Sequence, residues 1–251
     1  MIEIIPLSGI AEVMPGDDLP TILYDALERG GVGLCPGDIL VVTQKIISKS
    51  EGLFVSFSEI VPGEEARRLA SITRKDPRLV ELVLTESSAI LRAVPNVLIA
   101  RHRLGLVMAN AGIDQSNIGP DREDSALLLP EDPDGSAKRL AAALGAKTGV
   151  APAVVISDSF GRPWRYGVVN VAIGAAGLPS LIDRRGDQDR DGRILEVTQI
   201  ALADMIATAA GLATGEGAES VPAALVRGYK WNAEISPATA LVRPLEEDLF
   251  Q

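Results

Sequence analysis

A chain of 251 residues, 47% hydrophobic and 23% charged, can bury a substantial core, as one domain over residues 1–251 or as two closely packed lobes. A formal net charge of -10 with no run of Lys and Arg excludes a nucleic-acid binder that neutralises successive phosphates, and a single cysteine, Cys35, excludes a disulfide framework or a Cys-rich zinc site. The start, Met1-Ile2-Glu3-Ile4-Ile5-Pro6, lacks the form of a signal peptide, and no stretch reaches the roughly 20 apolar residues that span a bilayer, so a cytoplasmic protein without a membrane anchor is expected.

In chain order, runs rich in Val and Ile predict strands at Ile2 to Ile5, Ile39 to Thr43, Val97 to Ala100, Ala153 to Ile156, Val168 to Ile173 and Ala223 to Arg227. Leu19, Ile22, Leu23, Ala26 and Leu27 recur at helical spacing until Gly30-Gly31 stops them. Asp76-Pro77 and Asp132-Pro133 each put a capping carboxylate before a proline suited to the first turn, which predicts helices near Arg78 to Thr85 and Asp134 to Leu144. The longest helix is expected from about Leu195 to Leu212. Strands and helices mix without strict alternation, which favours an α+β or irregular mixed α/β fold over a barrel. Cys35 is read as a packing residue, and His102, flanked by Arg101 and Arg103, as a surface or packing residue, because one histidine without partners at ligand spacing makes no zinc site.

Four polar segments could carry chemistry. Gly105 to Ala109 is an apolar strand that breaks through Gly112 into Asp114-Gln115-Ser116-Asn117, and Ala153 to Ile156 leads into Ser157-Asp158-Ser159-Phe160-Gly161-Arg162. Both place carboxylates and hydroxyls at a strand end, where ligands commonly bind; such oxygens suit magnesium or manganese, although a strand-end Asp also serves as a turn or helix cap. Thr214-Gly215-Glu216-Gly217-Ala218-Glu219-Ser220-Val221 is either a helix-ending turn or a loop whose glycines admit a phosphate or a metal. Lys45 and Lys49, just past a strand, are either surface lysines or phosphate contacts. A further stretch, Asp183 to Arg193, imitates the start of an EF-hand loop, but Thr198 occupies the twelfth position counted from Asp187, where a bidentate Glu is required. It reads as a solvated loop, or as one that meets substrate or another subunit. There is no Walker loop and no G-x-S-x-G elbow, so a nucleotide would be held in another way and a serine hydrolase is excluded.

Taken in order, Gly37 to Val42, Ala109 to Asn117, Leu129 to Asp134 and Ser157 to Arg162 resemble the coenzyme F420-0:gamma-glutamyl ligase family of deazaflavin coenzyme biosynthesis, over about nine-tenths of the chain. The resemblance implies an intertwined homodimer and a ligase that joins L-glutamate to the lactyl carboxylate of a deazaflavin acceptor. It implies GTP as co-substrate, an acyl-phosphate intermediate, two divalent cations (Mg or Mn) and a monovalent cation (K). It assigns metal binding to Asp114, Asp158, Ser159 and Glu216, and nucleotide contacts to Leu7, Ser8, Gly9, Ile10, Gln44, Lys45, Lys49, Asn117, Thr214, Gly215, Glu216, Gly217, Ala218, Glu219, Ser220 and Val221. Ser159 stands where many relatives carry threonine, which keeps the hydroxyl; Glu216 stands where several carry glutamine, which adds a negative charge. The alternatives are a related amide ligase with another acceptor and a non-catalytic nucleotide or metal sensor.

Overall fold

The computed structural model describes residues 1–119 and 121–248. Its elements, in order, are β1 (Glu3–Pro6), α1 (Leu19–Arg29), β2 (Ile39–Thr43), α2 (Gln44–Ser50), β3 (Phe54–Ser56), α3 (Glu64–Thr73), α4 (Pro77–Thr85), β4 (Ser87–Val94), β5 (Val97–His102), β6 (Val107–Ala109) and β7 (Ser125–Leu127). There follow α5 (Pro133–Thr148), β8 (Ala153–Arg162), β9 (Arg165–Ala176), β10 (Leu181–Asp183), β11 (Gln199–Ala201), α6 (Leu202–Thr214) and β12 (Ala223–Arg227). The fold is α+β. A five-stranded mixed sheet in the order β1-β12-β2-β8-β9 dominates, with only β2 and β8 parallel, and three small antiparallel sheets accompany it.

Period-two alternation explains the central strands. Leu40, Val42, Val154, Ile156, Ala223 and Leu225 face one apolar cluster with α1, α2 and α5, while Ile39, Val41, Ala153, Val155, Ala224 and Val226 face a second cluster under α6. Strands covered on both faces read as continuous apolar runs, which is why β2 and β12 have the predicted bounds. A third cluster joins α3 and α4 to β5 and to the segment after β6. The capping prolines act as expected: Asp76 accepts from Arg78 N at 2.8 Å and Asp132 from Gly135 N at 2.9 Å.

Packing of α5 on the sheet depends on one glycine. A Cβ on Gly174 would lie 2.5 Å from the Pro133 backbone, and the next residue on each side is tied as well, since Asp134 Oδ1 accepts from Ala175 N at 2.7 Å. The contact atoms are backbone and cannot rotate away, so Gly174→Ala is expected to cost about 2–3 kcal/mol by overpacking, measurable as a lower urea midpoint with an unchanged slope.

Two expectations are corrected, those for the long helix and for Cys35. The helix expected to be the longest begins at Leu202 and, at 13 residues, is shorter than the 16-residue α5, because Gln199–Ala201 pairs with Leu181–Asp183 as β11 and the residues before it belong to an exposed arm. That arm, the EF-hand imitation, is pinned by its own ion pairs, Arg184 with Asp187 and Arg185 with Asp183, and by Leu195 N donating to Asp187 O at 2.8 Å. Cys35 is exposed, since it occupies the turn into β2 and donates its N–H to Asp38 Oδ2 at 2.8 Å. His102 is packed: Nδ1 accepts from Leu104 N at 3.0 Å, Glu86 lies 3.4 Å from Nε2, and burial pushes its pKa down. No helix among the described residues is long and apolar enough to cross a membrane.

Candidate functional site

The site arises where one strand stops and its neighbour continues. β2 runs parallel to β8 only as far as the Thr43–Ser157 pair, then turns into α2; β8 carries on to Arg162, paired with β9 alone. Asp158 therefore sits within a strand, beside a register shift at Ile156/Ser157, and not after a strand end as the sequence suggested. The carboxyl end of β2 supplies the room around it. A cleft of about 720 Å³ opens there, bounded by the start of α2, the turn around Asp114 and the loop after α6.

Most of the predicted residues meet in this cleft. Ile10, Gln44, Lys45, Lys49, Asp114, Asn117, Asp158, Ser159 and all of Thr214 to Val221 line it. Leu7 does not: its side chain is in the core and its N–H pairs with Ala223 O at 2.9 Å. Ser8 and Gly9 also lie outside the lining, and Gly9 O accepts from Arg29 Nη2 at 3.0 Å. Neither Arg162 nor Arg165, at the β8–β9 turn, faces the cleft.

Each polar side chain has a local reason for its place. Asp114 is fixed through its backbone, which forms a two-bond bridge with Leu127 of β7 (3.0 and 2.9 Å). Its Oδ2 then receives Gln44 Nε2 and Lys45 Nζ, each at 2.6 Å. Buried Gln44 is itself oriented by Ser48 Oγ, which donates to Gln44 Oε1 at 3.0 Å, so the amide nitrogen must face the carboxylate. Lys45 also donates to Ser116 O at 3.0 Å, and the buried Lys49 pairs with Glu12. Across the cleft, Asn117 Nδ2 donates to Gly217 O at 3.3 Å, Gly217 N donates to Glu219 Oε2 at 2.7 Å, and Asn170 Nδ2 donates to Glu216 Oε1 at 3.0 Å. Asn117 and Ser220 have φ of 55° and Gly215 of 70°, backbone geometry that a tight polar loop requires.

Asp158 is the least compensated of these groups. Half-buried on the cleft floor, its Oδ1 accepts from its neighbour Ser159 N at 2.8 Å. Burial first, then the charge of Asp114 and more weakly that of Glu216, pushes its pKa up from 3.8 to about 7, against the Ser159 hydrogen bond and Lys45. The lining carries six carboxylates (Glu12, Asp114, Glu123, Asp158, Glu216, Glu219) and three basic groups (Lys45, Lys49, Arg122), so a polyphosphate entering alone would meet net negative charge. Among the described residues no three His, Cys, Asp or Glu side chains converge on one point suited to an ion. Oxygen donors set apart in this way match the manner in which magnesium is held by one or two carboxylates with substrate phosphates completing its shell. The donor set thus fits divalent cations shared with a phosphate-bearing ligand.

Sequence reasoning missed Glu12, Arg122 and Asn170 among the cleft residues. Arg122 is held over the Phe54 ring, 3.6 Å from its centroid, a contact with no local signature. Asn170 had one: it is a polar side chain inside the apolar run Val168 to Ile173.

Comparison with known proteins is consistent along the chain. The family model described as F420-0:Gamma-glutamyl ligase matches residues 9–228. Coenzyme F420:L-glutamate ligase of Methanothermobacter thermautotrophicus is 45% identical over 252 residues, covering 100% of this chain and 99% of that protein. The proteins of the same name from Methanopyrus kandleri and Methanocaldococcus jannaschii are 43% and 39% identical, over 100% and 86% of this chain and 97% and 85% of their own.

Proposed function

The chain belongs to the F420-0:gamma-glutamyl ligase family, and from that premise we propose that it is a ligase that forms an amide between L-glutamate and the lactyl carboxylate of coenzyme F420-0, at the expense of GTP. The observation that carries the reading is the convergence, in one cleft, of Asp114, Asp158, Ser159 and Glu216 with Lys45, Lys49 and a glycine-bearing loop.

The chemistry follows from the leaving group. A carboxylate offers oxide to an attacking amine, which is no leaving group at neutral pH, so the acceptor is first phosphorylated and the amine of glutamate then displaces phosphate. Asp114, Asp158, Ser159 and Glu216 would together hold two divalent cations, Mg or Mn. Bound there, such ions neutralise phosphate charge and polarise the phosphoryl group in transfer. The chain's own part is to bind and orient. Gln44, locked by Ser48, fixes Asp114; Lys45 and Lys49 carry positive charge on the α2 side; Asn117 and the 214–221 loop close the opposite side. Water has to be kept from the activated acyl group between the two steps. The homodimer, the monovalent cation K and a cytoplasmic setting belong to the same proposal.

The test is incubation of purified protein with GTP, glutamate, the deazaflavin acceptor and magnesium, followed by mass spectrometry. The expected outcome is one added glutamate and GDP release that requires both acceptor and glutamate, abolished by a chelator and restored by Mg or Mn. GDP release that ignores the acceptor, or no adduct with any cation, would refute the proposal.

A further inference from the structure

We propose that Asn170 is a positioning residue that holds Glu216 in place over the cleft, and that position 211 of α6 is glycine to make room for it. The inference rests on the reading of Glu216 as a cation ligand. Glu216 is exposed and lies between Gly215 and Gly217, so nothing in its own loop restricts its long side chain. Asn170 supplies the restriction: it is buried, opposite Ser159 in the β8–β9 pairing, and its Nδ2 meets Glu216 Oε1 at 3.0 Å. A carboxylate only accepts, so the amide must turn its nitrogen toward it.

Asn170 is gripped from behind. Its backbone carbonyl accepts from Thr208 Oγ1 at 2.6 Å, and one turn further along α6 a Cβ on Gly211 would lie 2.3 Å from Asn170 Nδ2. Glycine weakens a helix interior and has no value there for the helix itself; the space it leaves is filled by this amide. The choice of a neutral donor also matters. Lysine or arginine at 170 would hold Glu216 as an ion pair and compete with a cation for it, whereas an amide orients the carboxylate and leaves its charge in place. Ser159 and Glu216 come from distant parts of the chain, and β9 links them: Asn170 is the cross-strand partner of the first and the hydrogen-bond partner of the second.

Two measurements test this. In the first, Mn²⁺ binding to the purified full chain with a non-hydrolysable GTP analogue is followed by electron paramagnetic resonance of the free ion. Asn170→Ala is expected to weaken the Glu216-dependent ion about tenfold, within the range found when a partner of a metal ligand is removed, and Gly211→Ala to act in the same direction from the helix side. In a Glu216→Ala background Asn170→Ala is expected to add nothing, whereas the same loss in both backgrounds would show a merely structural role and overturn the proposal. If Glu216→Ala alone leaves Mn²⁺ binding unchanged, the assignment of Glu216 as a ligand falls, and this inference with it. The second measurement needs no metal: amide hydrogen exchange of Gly215 to Glu219 in the cation-free protein is expected to quicken in Asn170→Ala. Unchanged exchange there would overturn the positioning role whatever Glu216 binds.

Discussion

Asp158→Asn is expected to melt higher than the parent protein and to ligate hardly at all. The stability gain follows from burial and from Asp114, which together raise the Asp158 pKa from 3.8 to about 7. A group protonated more readily when folded takes up protons on folding between those values, so its penalty is absent below 3.8, grows as pH rises and is complete above about 7. At about 1.4 kcal/mol per pH unit the ceiling is near ~4 kcal/mol. About half of that is expected, because part of the side chain still meets solvent. A gain of ~2 kcal/mol corresponds to roughly 4–8 °C in a domain of this size, visible by calorimetry of the cation-free protein above neutral pH and lost in acid. Activity is expected to move the other way, by more than the roughly 100-fold seen when only the partner of a metal ligand is removed. A variant that is no more stable at high pH, or that keeps its turnover, would remove Asp158 from the centre of the site.

Asp38→Ala is expected to have the largest effect on stability, far from the cleft. Asp38 is 1% exposed at the start of β2, and its two oxygens take Arg227 Nε at 2.9 Å and Nη2 at 2.7 Å from the end of β12. Oδ2 accepts from Cys35 N as well, at 2.8 Å, and Arg227 Nη2 reaches on to Gly33 O at 2.7 Å. One carboxylate thus ties the turn before β2 to the adjacent strand, and it holds the Arg227 guanidinium protonated well above its ordinary range. Removing it leaves a partly buried cation with only the Gly33 carbonyl to meet and the Cys35 amide without its acceptor, a loss of about 3–5 kcal/mol, a large share of the stability of a typical domain. Guanidinium unfolding measures it. Arg227→Ala is expected to cost about as much as Asp38→Ala, because it leaves the more deeply buried partner, the carboxylate, without its counter-ion.

What could be read from the sequence depended on whether local pattern or tertiary pairing decided each element. β2 and β12 are apolar throughout because both faces are covered, and α4 and α5 announce themselves with Asp-Pro caps. β8 past Ile156 could not be read, because Ser157 to Arg162 is held extended by β9 and not by its own alternation. The start of α6 was misplaced for a similar reason: β11 exists only by pairing with β10. In the site, Asp114, Asp158 and Glu216 stood out as carboxylates in breaks after apolar segments. Their convergence depends on β2 ending at the Thr43–Ser157 pair while β8 continues to Arg162, a fact of register that no single segment carries. Glu12 entered only through its partner Lys49, whereas Asn170 was legible as a polar side chain within an apolar run but its partner Glu216 was not.

The most direct test of the central claim is anomalous diffraction from crystals grown with GDP and manganese. The account predicts manganese held among Asp114, Asp158, Ser159 and Glu216, with the diphosphate in the same cleft and the 214–221 loop against the phosphates. Manganese bound elsewhere, or a nucleotide seated outside this cleft with Asp158 facing only solvent, would contradict it.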